Sequence, residues 1–471
     1  MNRRSFLRNG TCGMMSSMPA INAILNMTLA GNIARAQGGP AVPDDYKALI
    51  CLFFNGGNDS YNMLIPTTPE EFGWYELTRS NVGLQMPSAS GDPYNANAAL
   101  PLTATNTPGR TFAVHPKMPD IANLFNQGNA SFVANIGTLV EPIPSVSAFE
   151  TGTYRVPVST GAHNTQQTAW QTSLPQYITS NTGWLGRTAD IINLRENPAS
   201  TLPMSFALSS TKGINQGTNN GGLAIGTSGI DLLDNSNFKD KWMKTKFEAQ
   251  QNRVYQNIMQ RVHRQKMDEY SDLANIFQTS FQTTTTTNTF SGGLSASFKA
   301  IARTISLRQT FNVKRQTFFI GFGNWDGHSN LVTSQSALFT EVNLAIKEFW
   351  AEMVTQGLQD KVTVFTGSDF GRTLRSNGSG TDHAWGGNAF VVGGALNGGK
   401  ILGHYPDILK LGDGLDLGTN GRLLPTTGVD PYYADLLLWL GVSKSELPLV
   451  LPNIGNFYNV ASTAPPLGLF A

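Results

Sequence analysis

Cysteine is scarce. The 471-residue chain holds two, Cys12 and Cys51. Removal of the first 36 residues would leave only Cys51, so the remaining chain could form no internal disulfide. Cys51 lies in the apolar run from Ala48 to Phe54 and reads as a buried core thiol, not a nucleophile. Beyond about Leu29 there is no run of 18 apolar residues, which excludes a helical membrane span from the mature chain. A surplus of charge is lacking too. Four of the 33 basic residues fall in the first 36 positions, leaving 29 against 32 acids, a formal charge of −3. That balance argues against nucleic acid or an anionic membrane as a main partner. Also absent are the phosphate loop Gly-x-x-x-x-Gly-Lys-Ser/Thr, the zinc motif His-Glu-x-x-His and the nucleophile elbow Gly-x-Ser-x-Gly. Glycine-rich stretches such as Val392 to Ala395 lack dinucleotide-binding spacing.

What is present begins at the N-terminus. Arg3-Arg4 is followed by Ser5-Phe6-Leu7, then by a moderately apolar stretch from Cys12 to about Leu29. Ala34-Arg35-Ala36 supplies a small-x-small cleavage signal, and no acidic residue precedes Asp44. Charged segment, apolar segment and cleavage site stand in the order of an export signal. The arginine pair resembles the twin-arginine consensus, whose translocase carries folded proteins. Residues 1–36 are therefore expected to be a signal peptide, and residues 45–471 one α/β domain in the periplasm or outside the cell.

Periodicity supports that class. Residues 48–54 form an apolar run ending at Asn55-Gly56-Gly57-Asn58-Asp59, a buried strand closing in a polar turn. Met118, Ile121, Leu124 and Phe125 predict a helix over 117–127, ended by Gly128, and Ser131 to Ile136 a further strand. Later strands are expected at Gln316–Phe322, Val362–Thr366 and Ala389–Val392, with a helix marked by Leu338, Val342, Ile346, Phe349 and Met353. The strand–helix–strand order favours a parallel sheet. Polar or glycine-rich clusters follow several strand ends, where open α/β sheets hold ligands. Between them, Phe238 to Phe281 reads as helical, and the threonines Thr283 to Thr287 with Ser291-Gly292-Gly293 as a flexible connection. Residues 186–300 are expected to be a mainly helical insertion, either a structural excursion or a substrate lid.

Trp325-Asp326-Gly327-His328 places a carboxylate and an imidazole two residues apart after a strand. Both can face one cation, and the mixture suits Zn, Mn or Fe more than Ca. A solvated Asp and a capping His would look the same. Asp382-His383 adds a second such pair, and Asp59 and Asp369 close two other strands. Together Asp59, Asp326, His328, Asp369 and His383 form a candidate metal site of one or two ions, with Asp382 as ligand or support. Two ions would clamp the oxygens of a phosphoryl or sulfuryl transfer. His163, in Gly161-Ala162-His163-Asn164-Thr165, opens a predicted helix whose N-terminus favours an anion, or else Asn164 or Thr165 merely caps it. His115 reads as structural and His263 as a surface residue.

In combination these segments resemble the bacterial family called domain of unknown function 1501. Phe54 to Asp59, Asn324 to His328, Thr366 to Thr373, Asp382 to Gly387 and Gly421 to Tyr432 occur in its order. That family is similar to the alkaline phosphatase and sulfatase superfamily. The resemblance implies an α/β, alkaline-phosphatase-like three-layer sandwich with a mostly parallel central sheet, an inserted helical cap and a two-metal site. It matches Asp59 to the first ligand Asp, Asp326 and His328 to the Asp and His of one metal, Asp369 to the following Asp, and His383 to the late His. Two departures stand out. Phe370 follows Asp369 where the superfamily has His, and Ala162 stands where relatives often have a nucleophilic Ser, leaving Thr165 as the nearby hydroxyl. The expected function is an exported metal-dependent hydrolase of phosphate or sulfate esters. Its catalytic residues would be His163 and Thr165, its cofactor one or two divalent ions (Zn, Mn, Fe or Ca). Its substrate would be a small-molecule or polysaccharide ester, and its export partner the twin-arginine translocase. The alternative is a non-catalytic exported protein that keeps the fold for binding or for envelope or polysaccharide assembly.

Overall fold

The apolar run at residues 47–54 becomes a strand buried on both faces, and the rest of the molecule is arranged around it. In the computed structural model the described residues are 45–84, 99–208, 213–230 and 252–470, with 242, 245, 246, 249 and 250. The expected signal peptide, and Phe238 at the start of the predicted helical stretch, lie outside them. In chain order the strands are β1 (Lys47–Phe54), β2 (Leu64–Pro66), β3 (Leu100–Leu102), β4 (Phe112–Val114), β5 (Ala130–Gly137), β6 (Ser205–Leu208) and β7 (Leu223–Ile225). They continue as β8 (Arg315–Phe322), β9 (Val362–Ser368), β10 (Arg372–Ser376), β11 (Thr381–His383), β12 (Gly387–Val392), β13 (Lys400–Gly403) and β14 (Thr427–Gly428).

Nine strands form one sheet in the order β13-β5-β12-β9-β1-β8-β6-β7, with β14 also on β5. Every pairing is parallel except those of β12, which runs antiparallel to both β5 and β9. The fold is thus mixed α/β with a mostly parallel central sheet. Alternation along β1 splits the core in two. Ala48, Ile50, Leu52 and Phe54 face one cluster, with Phe339, Phe349, Phe298 and Phe125 from helices Leu331–Thr355, Leu294–Ser306 and Pro119–Asn126. Leu49, Cys51 and Phe53 face the other, with Trp170, Trp184, Leu185 and Leu437 from helices His163–Thr172, Trp184–Glu196 and Val429–Leu440. Helices on both faces give three layers, as expected from a parallel sheet that buries both sides. Each large apolar side chain so buried contributes on the order of 1.5–3 kcal/mol. Burial also raises the pKa of the Cys51 thiol well above its ordinary value, as befits a core residue. No helix among the described residues is long and apolar enough to cross a membrane.

Several expectations change. Because β12 is antiparallel, the glycines after it, Gly393 and Gly394, open at the sheet edge opposite the ends of β1, β8 and β9. The segment 186–300 is not simply an inserted helical cap, because β6 and β7 extend the central sheet beyond β8. Within it, helix Ile258–Thr283 buries Ala274, Phe277 and Phe281 in the core and leaves Ile258 and Met259 exposed. The threonine-rich connection is pinned: the carboxylate of Glu352 accepts from the amides of Thr287 and Asn288, and that of Glu348 from the amide of Ser291. Polar side chains of a neighbouring helix therefore hold a stretch whose composition alone reads as loose.

Two buried carboxylates carry structural weight. Asp59 forms an ion pair with Arg79 at 2.6 Å, both side chains fully buried. The Arg79 guanidinium also donates to the carbonyls of Thr373 and Leu374, tying the end of β1 to β10. Asp430, in the first turn of helix Val429–Leu440, accepts from the Ser173 hydroxyl. Burial pushes its carboxyl up to about 7, against the hydrogen bond from Ser173 and the charge of Arg187.

Asp59→Ala should leave the Arg79 charge buried without its partner and destabilise the fold by about 3–5 kcal/mol, read from the denaturant midpoint. For Asp430 the folded pKa lies above the unfolded value, so its stabilising protonation is complete at low pH and is lost as pH rises toward and through 7. Asp430→Asn should raise the melting temperature at pH 8 and leave it nearly unchanged at pH 4, flattening the pH profile.

Candidate metal centre

The site is assembled by three adjacent parallel strands. In register, Phe54 of β1 lies opposite Phe322 of β8 and Ser368 of β9, so the loops that follow leave the sheet at one level. Asp59, Asp326 and His328, and Asp369 are thereby delivered to the same edge. The loop after β1 can pass between the other two only as glycine. Gly56 (φ +120°) lies where an added Cβ would stand 2.5 Å from the Asp326 amide, and Gly57 (φ +84°) where one would strike the Phe370 ring at 2.5 Å. The positive φ values reinforce that requirement. The hairpin β10–β11 pairs Arg372 with His383 across its two strands, and helix His163–Thr172 starts beside them.

Three imidazoles share one arrangement. His163 Nδ1 is 2.7 Å from Asp369 Oδ2. His328 Nδ1 is 3.2 Å from Asp382 Oδ1. His383 Nδ1 is 2.8 Å from the carbonyl oxygen of Gly161. Carbonyl and carboxylate oxygens only accept, so each Nδ1 carries the proton. In the neutral ring each Nε2 is then left with its lone pair. All three Nε2 atoms face one carboxylate: His328 and His383 lie 3.1 and 3.3 Å from Asp326 Oδ1, and His163 lies 3.6 Å from Asp326 Oδ2. His328 Nε2 and His383 Nε2 are 2.9 Å apart. Two lone pairs at that separation repel unless a cation or a proton lies between them.

The donor set fits a metal ion. With metal–nitrogen bonds near 2.0–2.1 Å, tetrahedral ligand atoms stand about 3.3 Å from one another, close to the separations around Asp326 Oδ1. Nδ1 protons held by oxygen acceptors are the usual support of metal-bound imidazoles. Imidazole with carboxylate selects Zn, Mn or Fe over Ca, which prefers oxygen ligands throughout. Among the described residues, His163, Asp326 and His383 form a group whose ligand atoms lie within 4.8 Å of one another.

Electrostatics hold Asp326 ionised. Its partial burial raises the carboxyl pKa. The hydrogen bond and charge of Arg372, with His328 and His163, outweigh this and bring it below the ordinary value. Arg372, fully buried, donates to Asp326 Oδ1 at 2.7 Å and to the carbonyls of Gly56 and Thr381. Asp369 is also fully buried, and burial holds its carboxyl above the ordinary range even though His163, Gln167 and the Gly56 amide donate to it. The hydrogen bond from Asn377 lowers the carboxyl of Asp382.

Of the residues singled out from sequence, Asp326, His328, His383, Asp382, His163 and Asp369 come together. Asp59 does not join them. Its Oδ2 is taken by Arg79 and by the Thr381 hydroxyl at 3.0 Å. Thr165, nearly buried, has its hydroxyl 3.5 Å from Asn164 Oδ1, not on the imidazoles. Phe370 packs against His163 and His383, its ring centre 4.8 and 4.6 Å from theirs. Neither Arg79 nor Arg372, the latter inside the Thr366 to Thr373 motif, is given a role by the sequence alone. Arg372 stands three residues after Asp369, a signal that could have been weighed, whereas Arg79 has no motif around it. His115 is buried, and burial lowers its pKa to about 3; His263 lies on the exposed part of helix Ile258–Thr283; His404 pairs with Asp407 at 3.4 Å.

Comparison with the curated proteins gives no match. Among solved structures, the PsFucS1 sulfatase from Pseudoalteromonas sp. shares 11% identity, with 91% of this chain and 72% of that one covered at a TM-score of 0.33. The lipoteichoic acid synthase LtaP from Listeria monocytogenes shares 9%, with 89% and 78% covered at a TM-score of 0.31. Ps i-CgsB in complex with k-i-k-neocarrahexaose shares 9%, with 87% and 76% covered at a TM-score of 0.31. Residues 46–411 match the model of a family described as a protein of unknown function, DUF1501; with most of its length so matched, the chain belongs to the DUF1501 family.

Proposed function

We propose that this chain is an exported metal-dependent hydrolase of phosphate or sulfate esters. The observation that carries the reading is the convergence of three Nε2 lone pairs on the Asp326 carboxylate. His328, His383 and Asp326 would hold the ion, Asp382 would fix the ring of His328, and the Gly161 carbonyl that of His383. A divalent ion held there would supply polarisation of an ester oxygen and a more acidic water. His163, whose Nε2 stands farthest from the Asp326 carboxylate at 3.6 Å, would meet the substrate and not the ion. Its Nδ1–H is kept by Asp369, so Nε2 is free to take a proton from the attacking water, the role of a general base. The same residue opens helix His163–Thr172, whose Ala162 gives the first turn no side-chain cap. Unmatched amides at a helix N-terminus attract an anionic ester. Asp59 holds Arg79, and Asp369 serves as the positioning partner of His163. The arginine pair and cleavage signal at the N-terminus support export by the twin-arginine route.

A second reading, an exported protein that binds but does not hydrolyse, is favoured by Ala162. The N-cap position offers no hydroxyl, and Thr165 turns to Asn164. On that reading the protein takes up metal but turns over no ester.

Protein purified from the periplasm should contain Zn, Mn or Fe. Asp326→Ala should strip it and lower aryl phosphate or aryl sulfate hydrolysis at least about 100-fold. Less than about 0.2 equivalents of Zn, Mn or Fe in the reloaded protein, with no effect of Asp326→Ala on hydrolysis, would sink the proposal. Asp369→Asn should keep the ion and lower hydrolysis about 10–100-fold; loss of the ion instead would make His163 a ligand and not a base.

A further inference from the structure

We infer that the buried guanidinium of Arg372 stands in place of a second cation, so that the centre takes one divalent ion and no more. The inference rests on the metal reading above and narrows it.

The charges at this edge of the sheet set the first argument. Four carboxylates gather there, of Asp59, Asp326, Asp369 and Asp382, and two of them meet guanidiniums, Asp59 with Arg79 and Asp326 with Arg372. Four negative and two positive charges leave two negative, which one divalent ion neutralises. The guanidinium of Arg372 is fully buried and 2.7 Å from Asp326 Oδ1, so its positive charge is close.

Geometry gives the second argument. Asp326 Oδ1 accepts from Arg372 Nη1 at 2.7 Å and lies 3.1 and 3.3 Å from the Nε2 atoms of His328 and His383. Two ions sharing a carboxylate stand about 3.5–4 Å apart. A second ion sharing Asp326 would stand beside the guanidinium already bonded to that carboxylate, and the two positive charges would repel. One oxygen of each neighbouring carboxylate is already taken. Asp369 Oδ2 is filled by His163, Gln167 and the Gly56 amide, and Asp59 Oδ2 by Arg79 and Thr381. Phe370 presents a ring without a lone pair toward His163 and His383. Asp59 Oδ1 and Asp369 Oδ1 are buried without a hydrogen-bond partner, the atoms a second ion would seek, but the Nε atoms of Arg79 and Arg372 are orphaned as well. Unpartnered groups of both signs suit bridging water as well as an ion.

Isothermal titration of the metal-stripped protein with Zn²⁺ and with Mn²⁺, checked by elemental analysis, tests this. One equivalent is expected. Two tight equivalents would overturn the inference and leave the metal reading intact, whereas none would remove both. Arg372→Gln gives an independent readout. Loss of the fixed positive charge should tighten binding of the one ion by about tenfold, and Arg372→Lys should leave it within about threefold of the parent. If Arg372→Gln weakens the ion, Arg372 acts only by positioning Asp326 and the inference fails. Should that variant not fold, the stoichiometry of the parent protein still decides.

Discussion

The carboxylate of Asp326 is the meeting point of everything at this edge of the sheet. It accepts from a buried guanidinium and faces three imidazoles whose Nδ1–H groups already donate to oxygen. Neither half is stable alone. A buried arginine needs its acid, because an uncompensated charge in the interior costs several kcal/mol. Imidazole nitrogens 2.9 Å apart need something positive between them. The arrangement is held before any ligand arrives, by β8, by the β10–β11 hairpin and by the start of one helix. Preorganisation of that kind gives an active centre its electrostatic advantage, since no reorganisation is needed at the moment of reaction.

The sheet makes this convergence possible. Parallel strands in close register put three loops at one height, and Gly56 and Gly57 let the first loop thread between Asp326 and Phe370. A side chain at either position would push apart the two loops that carry Asp326 and Asp369. Asp59 and Arg79 then tie this loop to the hairpin. Their ion pair fixes the first turn after β1 against β10, so the hairpin carrying Arg372 and His383 is anchored to the strand that organises the core.

Much of this was legible in the sequence, for identifiable reasons. The strand cores at 48–54, 316–322 and 362–366 are short segments rich in apolar or β-branched residues that end in glycine or polar turns, and the structure keeps them. Asp326, His328 and His383 stood out because His is rare here, at six in the chain, and because they follow strand ends or sit in a glycine-rich loop. The direction of β12 was not legible, since an apolar run looks the same parallel or antiparallel. The sheet membership of β6 and β7 was hidden by their shortness, and the tethering of the threonine run by the distance in sequence to Glu348 and Glu352. For Asp59 the sequence shows an acid in the right loop. Its partner, Arg79, comes from a helix with no motif, and only the fold brings the two together.

The central claim is that the Nε2 atoms of His328 and His383 and the Asp326 carboxylate define one cation position. Anomalous diffraction at the Zn or Mn edge, from crystals of the loaded protein, tests it most directly. The account predicts a single peak about 2.0–2.2 Å from those three groups, with Arg372 still on Asp326. A peak on Asp59 and Asp369, or none near the imidazoles, would contradict it.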